Sequence, residues 1–185
     1  VLRKAGAGMA FLNYPGPPPY PAATCVSVND ELVHGIPGRR KLREGDIVSI
    51  DCGAVVEGFV GDSAITVGVG EISDEAQRLL DVTCAALFAG IEQMQAGKRT
   101  GDVSAAIQAL VERGGFQVVR EYTGHGVGRA MHEDPQVPNY GQAGTGLTLR
   151  PGMTIALEPM VLAGGPETHV LQDQWTVASR DGQGV

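Results

Sequence analysis

Four side chains of metal-ligand type stand out in this chain: Asp51, Asp62, His125 and Glu158. Asp51 and Asp62 lie eleven residues apart, on either side of Glu57-Gly58. In an antiparallel hairpin centred there, the two positions come within a residue or two of facing each other, and both carboxylates reach one spot. Asp51 ends the apolar run Ile47-Val48-Ser49-Ile50, where a carboxylate needs a partner or a metal. His125 sits in Gly124-His125-Gly126-Val127-Gly128, and glycines on both sides let the backbone pass close to something bulky. His132 follows seven residues later, in His132-Glu133-Asp134-Pro135. A helical H-E-x-x-H zinc motif needs histidines four apart, so these two are expected on different sides of one site. Glu158 closes Thr154-Ile155-Ala156-Leu157 and precedes Pro159; a glutamate at the end of an apolar strand is seldom there for solubility. His34, in Val33-His34-Gly35-Ile36-Pro37, is a further candidate.

Each of these residues alone reads as a turn aspartate or a loop histidine. Together they form an oxygen-rich donor set with one imidazole. That chemistry favours Mn, Fe, Co or Zn as a divalent ion in a hydrolytic site over a structural zinc, which prefers Cys and His. Several carboxylates able to bridge suit two ions ~3.5–4 Å apart.

The elements that must position these groups are visible in the hydrophobic pattern. A Pro/Gly/Tyr-rich loop over residues 11–22 leads into a strand near Thr24–Val28 and a turn at His34–Gly38. Ile47 to Asp51 alternates as a strand, and Ala54–Val60 and Ser63–Val69 are expected as further strands joined by a turn or bulge at Gly58 and Gly61. Ser73 is a good N-cap, with Asp74 and Glu75 in the first helical turn. Behind it Ala76, Leu79, Leu80, Thr83, Leu87, Ile91 and Met94 recur at helical spacing up to Gly97. A second helix is expected from about Asp102 to Arg113, with Val103, Ile107, Leu110 and Val111 as its apolar stripe. Phe116–Tyr122 and Met153–Glu158 read as strands, and Gly124–Gly146 as loop-rich. The alternation predicts one α+β domain with helices on one sheet face.

The composition narrows the partners. Of the 185 residues 43% are hydrophobic and 19% charged, as in ordinary soluble globular domains. A net charge of −7 gives no reason to expect nucleic acid or an anionic membrane as partner. The only basic cluster, Arg39, Arg40, Lys41 and Arg43, reads as a solvated turn. Cys25, Cys52 and Cys84 are odd in number and lack C-x-x-C spacing, which suits reduced thiols in a cytosolic protein.

At these residues the sequence resembles the type I methionine aminopeptidases. The resemblance is carried by Ser27-Val28-Asn29-Asp30-Glu31 with Val33-His34-Gly35-Ile36-Pro37, by Asp46-Ile47-Val48-Ser49-Ile50-Asp51 with Gly61-Asp62, by Gly124–Gly128 through Met131–Pro135 and Val137-Pro138-Asn139-Tyr140, and by Gly152-Met153-Thr154 through Glu158-Pro159-Met160. It implies a pita-bread (creatinase/aminopeptidase-like) fold, an antiparallel sheet with helices on its outer face and pseudo-two-fold halves. It also implies a monomeric cytoplasmic enzyme that removes N-terminal methionine from nascent proteins with two divalent metal ions, with the ribosome as a candidate partner. By resemblance the ligands are Asp51, Asp62, His125 and Glu158, with Asp62 bridging. Glu158 is also the base, His132 donates to the carbonyl or its oxyanion, and His34 meets the scissile amide nitrogen. Tyr14, Tyr20, Cys25, Met131 and Trp175 match positions lining the methionine pocket, where polarizable apolar groups suit a thioether.

The alternatives of the same fold are an X-Pro peptidase, which lacks the Ser27–Glu31 and His34–Pro37 stretch, and a catalytically inactive binding protein, which would have lost its ligands. The family also has a helical segment before the position of Val1 and one more bridging glutamate shortly after Trp175-Thr176-Val177. This chain has no Glu after Glu167. The resemblance therefore leads us to expect a single catalytic domain over 1–185, incomplete at both termini, with at most one tightly held metal and little peptidase activity.

Overall fold

The computed structural model describes residues 1–185. A short 3-10 turn, Leu2–Ala5, precedes β1 (Gly8–Met9), β2 (Cys25–Val28), β3 (Glu31–Val33), β4 (Ile47–Val56) and β5 (Phe59–Gly68). Two helices follow, α1 (Asp74–Gln93) and α2 (Thr100–Arg113). The second half has β6 (Gln117–Val118), β7 (Thr123–Gly126), β8 (Glu133–Pro138), β9 (Ile155–Ala156), β10 (Val161–Leu162), β11 (Thr168–Val170) and β12 (Val177–Ser179). Every strand pair is antiparallel. No helix is long and apolar enough to cross a membrane.

The long hairpin β4–β5 is the frame of the first half. Ten residue pairs run from Ile47↔Gly68 to Val56↔Phe59, and β2 and β1 lie on the other edge of β4. The expected break near Cys52–Gly53 does not exist: one strand runs through it. Gly61 lies within β5, and the reversal is the two-residue turn Glu57-Gly58. Both turn residues have positive φ, 51° and 80°, the conformation whose twist matches a two-residue hairpin. Asn29 sets the start of β4. Its amide donates to Asp46 Oδ1 at 2.9 Å and its oxygen accepts from the Ile47 amide at 3.0 Å.

The helix pair covers the second half, where α2 packs on β6 and β8. Ser73 caps α1, accepting from the Ala76 amide at 3.1 Å. Helix α2 starts two residues before the expected Asp102, which instead accepts from the Arg99 amide at 2.8 Å and fixes that terminus. Val103, Ile107 and Val111 are buried, as their spacing predicts. The apolar stripe of α1 is rotated from its expected course. Leu79, Ala86 and Gly90 face inward, whereas Ile91 is 46% exposed. The cause is close helix contact, since a Cβ on Gly90 would lie 3.0 Å from the Ile107 side chain.

Three further expectations are corrected. Phe116–Tyr122 is a strand only at Gln117–Val118, which pair with Leu162 and Val161. The stretch Gly124–Gly146 holds two ladder strands, most of β7 and all of β8. The strand expected over Met153–Glu158 is reduced to Ile155–Ala156, since only these two residues pair with β7. Short pairings held by neighbouring strands give too little periodicity to be read from sequence.

Candidate metal centre

Two ladders deliver the four acidic and imidazole groups. In β4–β5, Asp62 faces Gly53 and Asp51 faces Ala64. Asp51 stands two residues from Gly53 on the same pleat face, so the aspartates are diagonal neighbours across the pair. Gly53 matters here, because a Cβ on it would lie 2.7 Å from the Phe11 ring, which occupies that face beside the carboxylates. In the second ladder His125 faces Ala156, and Glu158 lies two residues further on. The glycines flanking His125 are needed by its partner strands. A Cβ on Gly124 would lie 2.5 Å from Ala156 O, and one on Gly126 would lie 2.2 Å from Asp134 O. The hairpin tip meets the second half where Val60 N donates to Gly128 O at 2.7 Å and Arg129 lies 4.4 Å over the Phe59 ring.

The ligand atoms of Asp62, His125 and Glu158 lie within 4.8 Å of one another. His125 Nε2 is 2.9 Å from Glu158 Oε1 and 3.7 Å from Asp62 Oδ2. His125 Nδ1 lies 2.9 Å from Gly126 O. A proton on Nδ1 donates to that carbonyl and leaves the Nε2 lone pair toward the carboxylates, the tautomer a metal ligand needs. Asp51 stands beside Asp62 on the same pleat face, and the three-residue cluster does not include it.

The electrostatics call for a cation. Burial, then the charges of Asp62 and Glu158, push the Asp51 carboxyl up to about 8. Burial and Glu158 raise Asp62 in the same direction. For His125 burial acts downward, but the Glu158 hydrogen bond and the Gly126 carbonyl outweigh it and raise the group. Without a metal the cluster thus holds extra protons to offset its negative charge, and divalent ions would replace them. Three oxygen donors and one imidazole fit such ions.

A stability test of this electrostatics uses chelator-treated protein. Asp51 and His125 are raised in the folded state, so the stability they contribute is present below their unfolded pKa values and lost as pH rises through the folded ones. His34 and His132 are both lowered, chiefly by burial, and act in the opposite direction only below the unfolded histidine value of about 6.5. Between about pH 6.5 and 8 the first pair therefore decides the sign, and the metal-free protein loses stability. After solvent screening the loss is on the order of 1 kcal/mol, or about 2–4 °C in Tm. Melting curves at both pH values check this, and Asp51→Asn should flatten the slope.

Around the carboxylates the structure gathers the other candidates. The His132 ring lies 4.3 Å from the His125 ring, and Tyr14 Oη lies 2.6 Å from His132 Nδ1. An open cavity of ≈ 400 Å³ here is lined by Thr123, His125, His132, Glu133, Asp134 and Gln136. His34 has φ 59° and meets the rings of Tyr122 and Trp175 edge-on at 5.9 and 6.4 Å. Tyr14, Tyr20, Cys25, Met131 and Trp175 form one apolar cluster with Phe11, Ala22 and Ile36. Tyr20 and Cys25 are its floor, 2% and 5% exposed, and the Tyr20 hydroxyl donates to Gly35 O at 2.8 Å beside His34. Burial pushes the Cys25 thiol up to about 12.

Sequence reasoning missed Phe11, Gly53, Tyr122, Thr123 and Gln136, none of which has a distinctive neighbour pattern. Asn139 lies within the Val137-Pro138-Asn139-Tyr140 motif. Asn139 is fully buried and donates from Nδ2 to the backbone oxygen of Glu158 at 2.7 Å, so it locates that ligand.

The metallopeptidase family M24 model matches residues 2–181. Methionine aminopeptidase 1 of Bacillus subtilis (strain 168) is 50% identical over 182 residues, which are 98% of this chain and 72% of that protein. The crystal structure of methionine aminopeptidase from Thermotoga maritima superposes with a TM-score of 0.95 at 50% identity, covering 99% of this chain and 73% of that one. The prolidase from Pyrococcus horikoshii OT3 is more distant, with a TM-score of 0.65 at 26% identity, covering 74% of this chain and 39% of that one.

Proposed function

This chain belongs to metallopeptidase family M24 and has its pita-bread fold, and on that premise we propose that it is a methionine aminopeptidase whose site is built from Asp51, Asp62, His125 and Glu158. The observation that carries the site is the convergence of Asp62, His125 and Glu158 within 4.8 Å. Divalent ions held by these groups supply Lewis acidity, which polarises the scissile carbonyl and acidifies water.

The chain's own residues do the rest. Glu158 accepts the proton of the attacking water, its side chain being 35% exposed. His132 stands beside the donor set without belonging to it and donates to the carbonyl oxygen as negative charge develops there. His34, lowered by burial and held by the Tyr122 and Trp175 rings, meets the scissile nitrogen. The cluster of Phe11, Tyr20, Cys25, Met131 and Trp175 takes the methionine side chain, because a thioether gains most from polarizable and aromatic walls. We assign two divalent ions, Co, Mn, Fe or Zn, to the active enzyme. Its substrates are methionyl peptides of nascent proteins in the cytoplasm, near the ribosome, and one copy of the chain supplies Asp51, Asp62, His125 and Glu158.

The same fold serves prolidases, so substrate choice is the test. The metal-loaded protein releases methionine from peptides with Met first and a small second residue, and leaves X-Pro dipeptides intact. Preferred cleavage of X-Pro dipeptides would reverse the assignment. No turnover of either, with metal bound, would leave a binding protein.

A further inference from the structure

We propose that Tyr14 is the positioning residue of His132: its phenol donates to Nδ1, fixes the ring, and keeps the imidazole proton on Nε2. The kinetic part rests on the peptidase reading above; the structural part does not.

The contact is short, 2.6 Å from Oη to Nδ1, within the range of a strong O–H···N bond. The Tyr14 hydroxyl makes no other hydrogen bond, and a phenol is a stronger acid than a neutral imidazole N–H. The phenol is therefore the donor and Nδ1 the acceptor. A neutral ring that accepts at Nδ1 carries its proton at Nε2, and Nε2–H is the donor a developing oxyanion requires. His132 is exposed at the edge of β8, and no other side-chain hydrogen bond restrains it. Without Tyr14 the ring is free to turn and to exchange tautomers.

Tyr14 is itself held in place. Its amide donates to Phe11 O at 2.9 Å and its carbonyl accepts from Tyr20 N at 3.0 Å, while Asn13 N donates to Tyr20 O at 2.8 Å. Residues 13–20 are thus closed into a loop. Trp175 clamps its far side, with Nε1 donating to Pro18 O at 2.8 Å. The indole also covers Gly16, where a Cβ would lie 2.2 Å from its Cζ2. The Tyr14 ring meets the imidazole edge-on, centroids 5.5 Å apart at 79°. A tyrosine that served only as an apolar wall would not need its hydroxyl aimed at a histidine nitrogen.

Tyr14→Phe separates the two roles, because it keeps the ring and removes the donor. For the metal-loaded protein, kcat on a methionyl peptide falls about tenfold with KM little changed, as loss of one hydrogen bond predicts. In a His132→Ala background the same substitution changes nothing further. An unchanged kcat in Tyr14→Phe, or an equal loss in both backgrounds, overturns the proposal. A second measurement needs no turnover: long-range ¹H–¹⁵N spectra of the metal-free chain in mildly alkaline buffer. The His132 signals should show an unprotonated Nδ1 that accepts a hydrogen bond, and this pattern should shift toward a tautomer mixture in Tyr14→Phe. A protonated Nδ1, or signals indifferent to the substitution, overturns it. If the unaltered protein turns over no methionyl peptide, the peptidase reading fails while the spectra still decide the role of Tyr14.

Discussion

In a full-length version, His132→Ala lowers kcat for methionyl-peptide hydrolysis by about 10²–10³ and leaves metal content unchanged. The size follows from what a hydrogen bond made mainly in the transition state contributes to rate. The separation follows from geometry. His132 lies outside the trio of Asp62, His125 and Glu158, although its ring is only 4.3 Å from His125. Its Nδ1 is occupied by the Tyr14 hydroxyl at 2.6 Å. Only Nε2 remains, and a ring committed to substrate contributes little to ion affinity. Single-turnover kinetics with metal analysis on the same sample reads both quantities. If the alanine variant loses metal but keeps its turnover per bound ion, His132 is a ligand.

Asp62→Asn weakens ion binding by more than the roughly 10–100-fold that loss of an outer-shell partner costs. Asp62 is the carboxylate that faces His125 Nε2 at 3.7 Å on one side and has Asp51 as its diagonal neighbour on the other. The amide keeps the shape but removes the charge, leaving Asp51 and Glu158 as the carboxylates of the donor set. The unaltered chain of 185 residues should take up one ion tightly and a second only weakly. The donors within 4.8 Å make one site, and Asp51 alone remains for another. Repulsion between two cations a few ångströms apart is strong and needs bridging negative charge to offset it. Calorimetric titration of the chelator-treated protein with Mn²⁺ or Co²⁺ measures both constants. Two tight ions in the unaltered chain, or undiminished affinity in Asp62→Asn, would mean that the donor set is wrongly drawn.

Local chemistry made much of this molecule legible. Ser73 with Asp74 and Glu75 marked the start of α1, since a capping oxygen and negative charge are favourable there whatever lies nearby. The four-residue recurrence of Val103, Ile107 and Val111 marked the inner face of α2. Glu57-Gly58 marked the hairpin that brings Asp51 and Asp62 to one pleat face, because two residues at positive φ suffice for that reversal.

Other features had no local cause. The stripe of α1 turned toward Ala86 and Gly90 because α2 approaches closely there, and Ile91 was left in solvent. Strands of two residues, such as β6 and β9, exist only because a distant partner satisfies their backbone groups. Tyr14 shares an apolar cluster with Met131 and Trp175, but its hydroxyl is spent on His132, 118 residues away in the chain. By itself the sequence determined which groups could do chemistry, the family they belong to, and the hairpin that pairs two carboxylates, because residue type and short spacing act through local physics. The tertiary structure decided that His125 and Glu158 face Asp62, that His132 stands outside the donor set, and that Asn139 holds the backbone of Glu158. Those relations depend on the meeting of two ladders far apart in the chain, and no local spacing encodes a distance across that meeting.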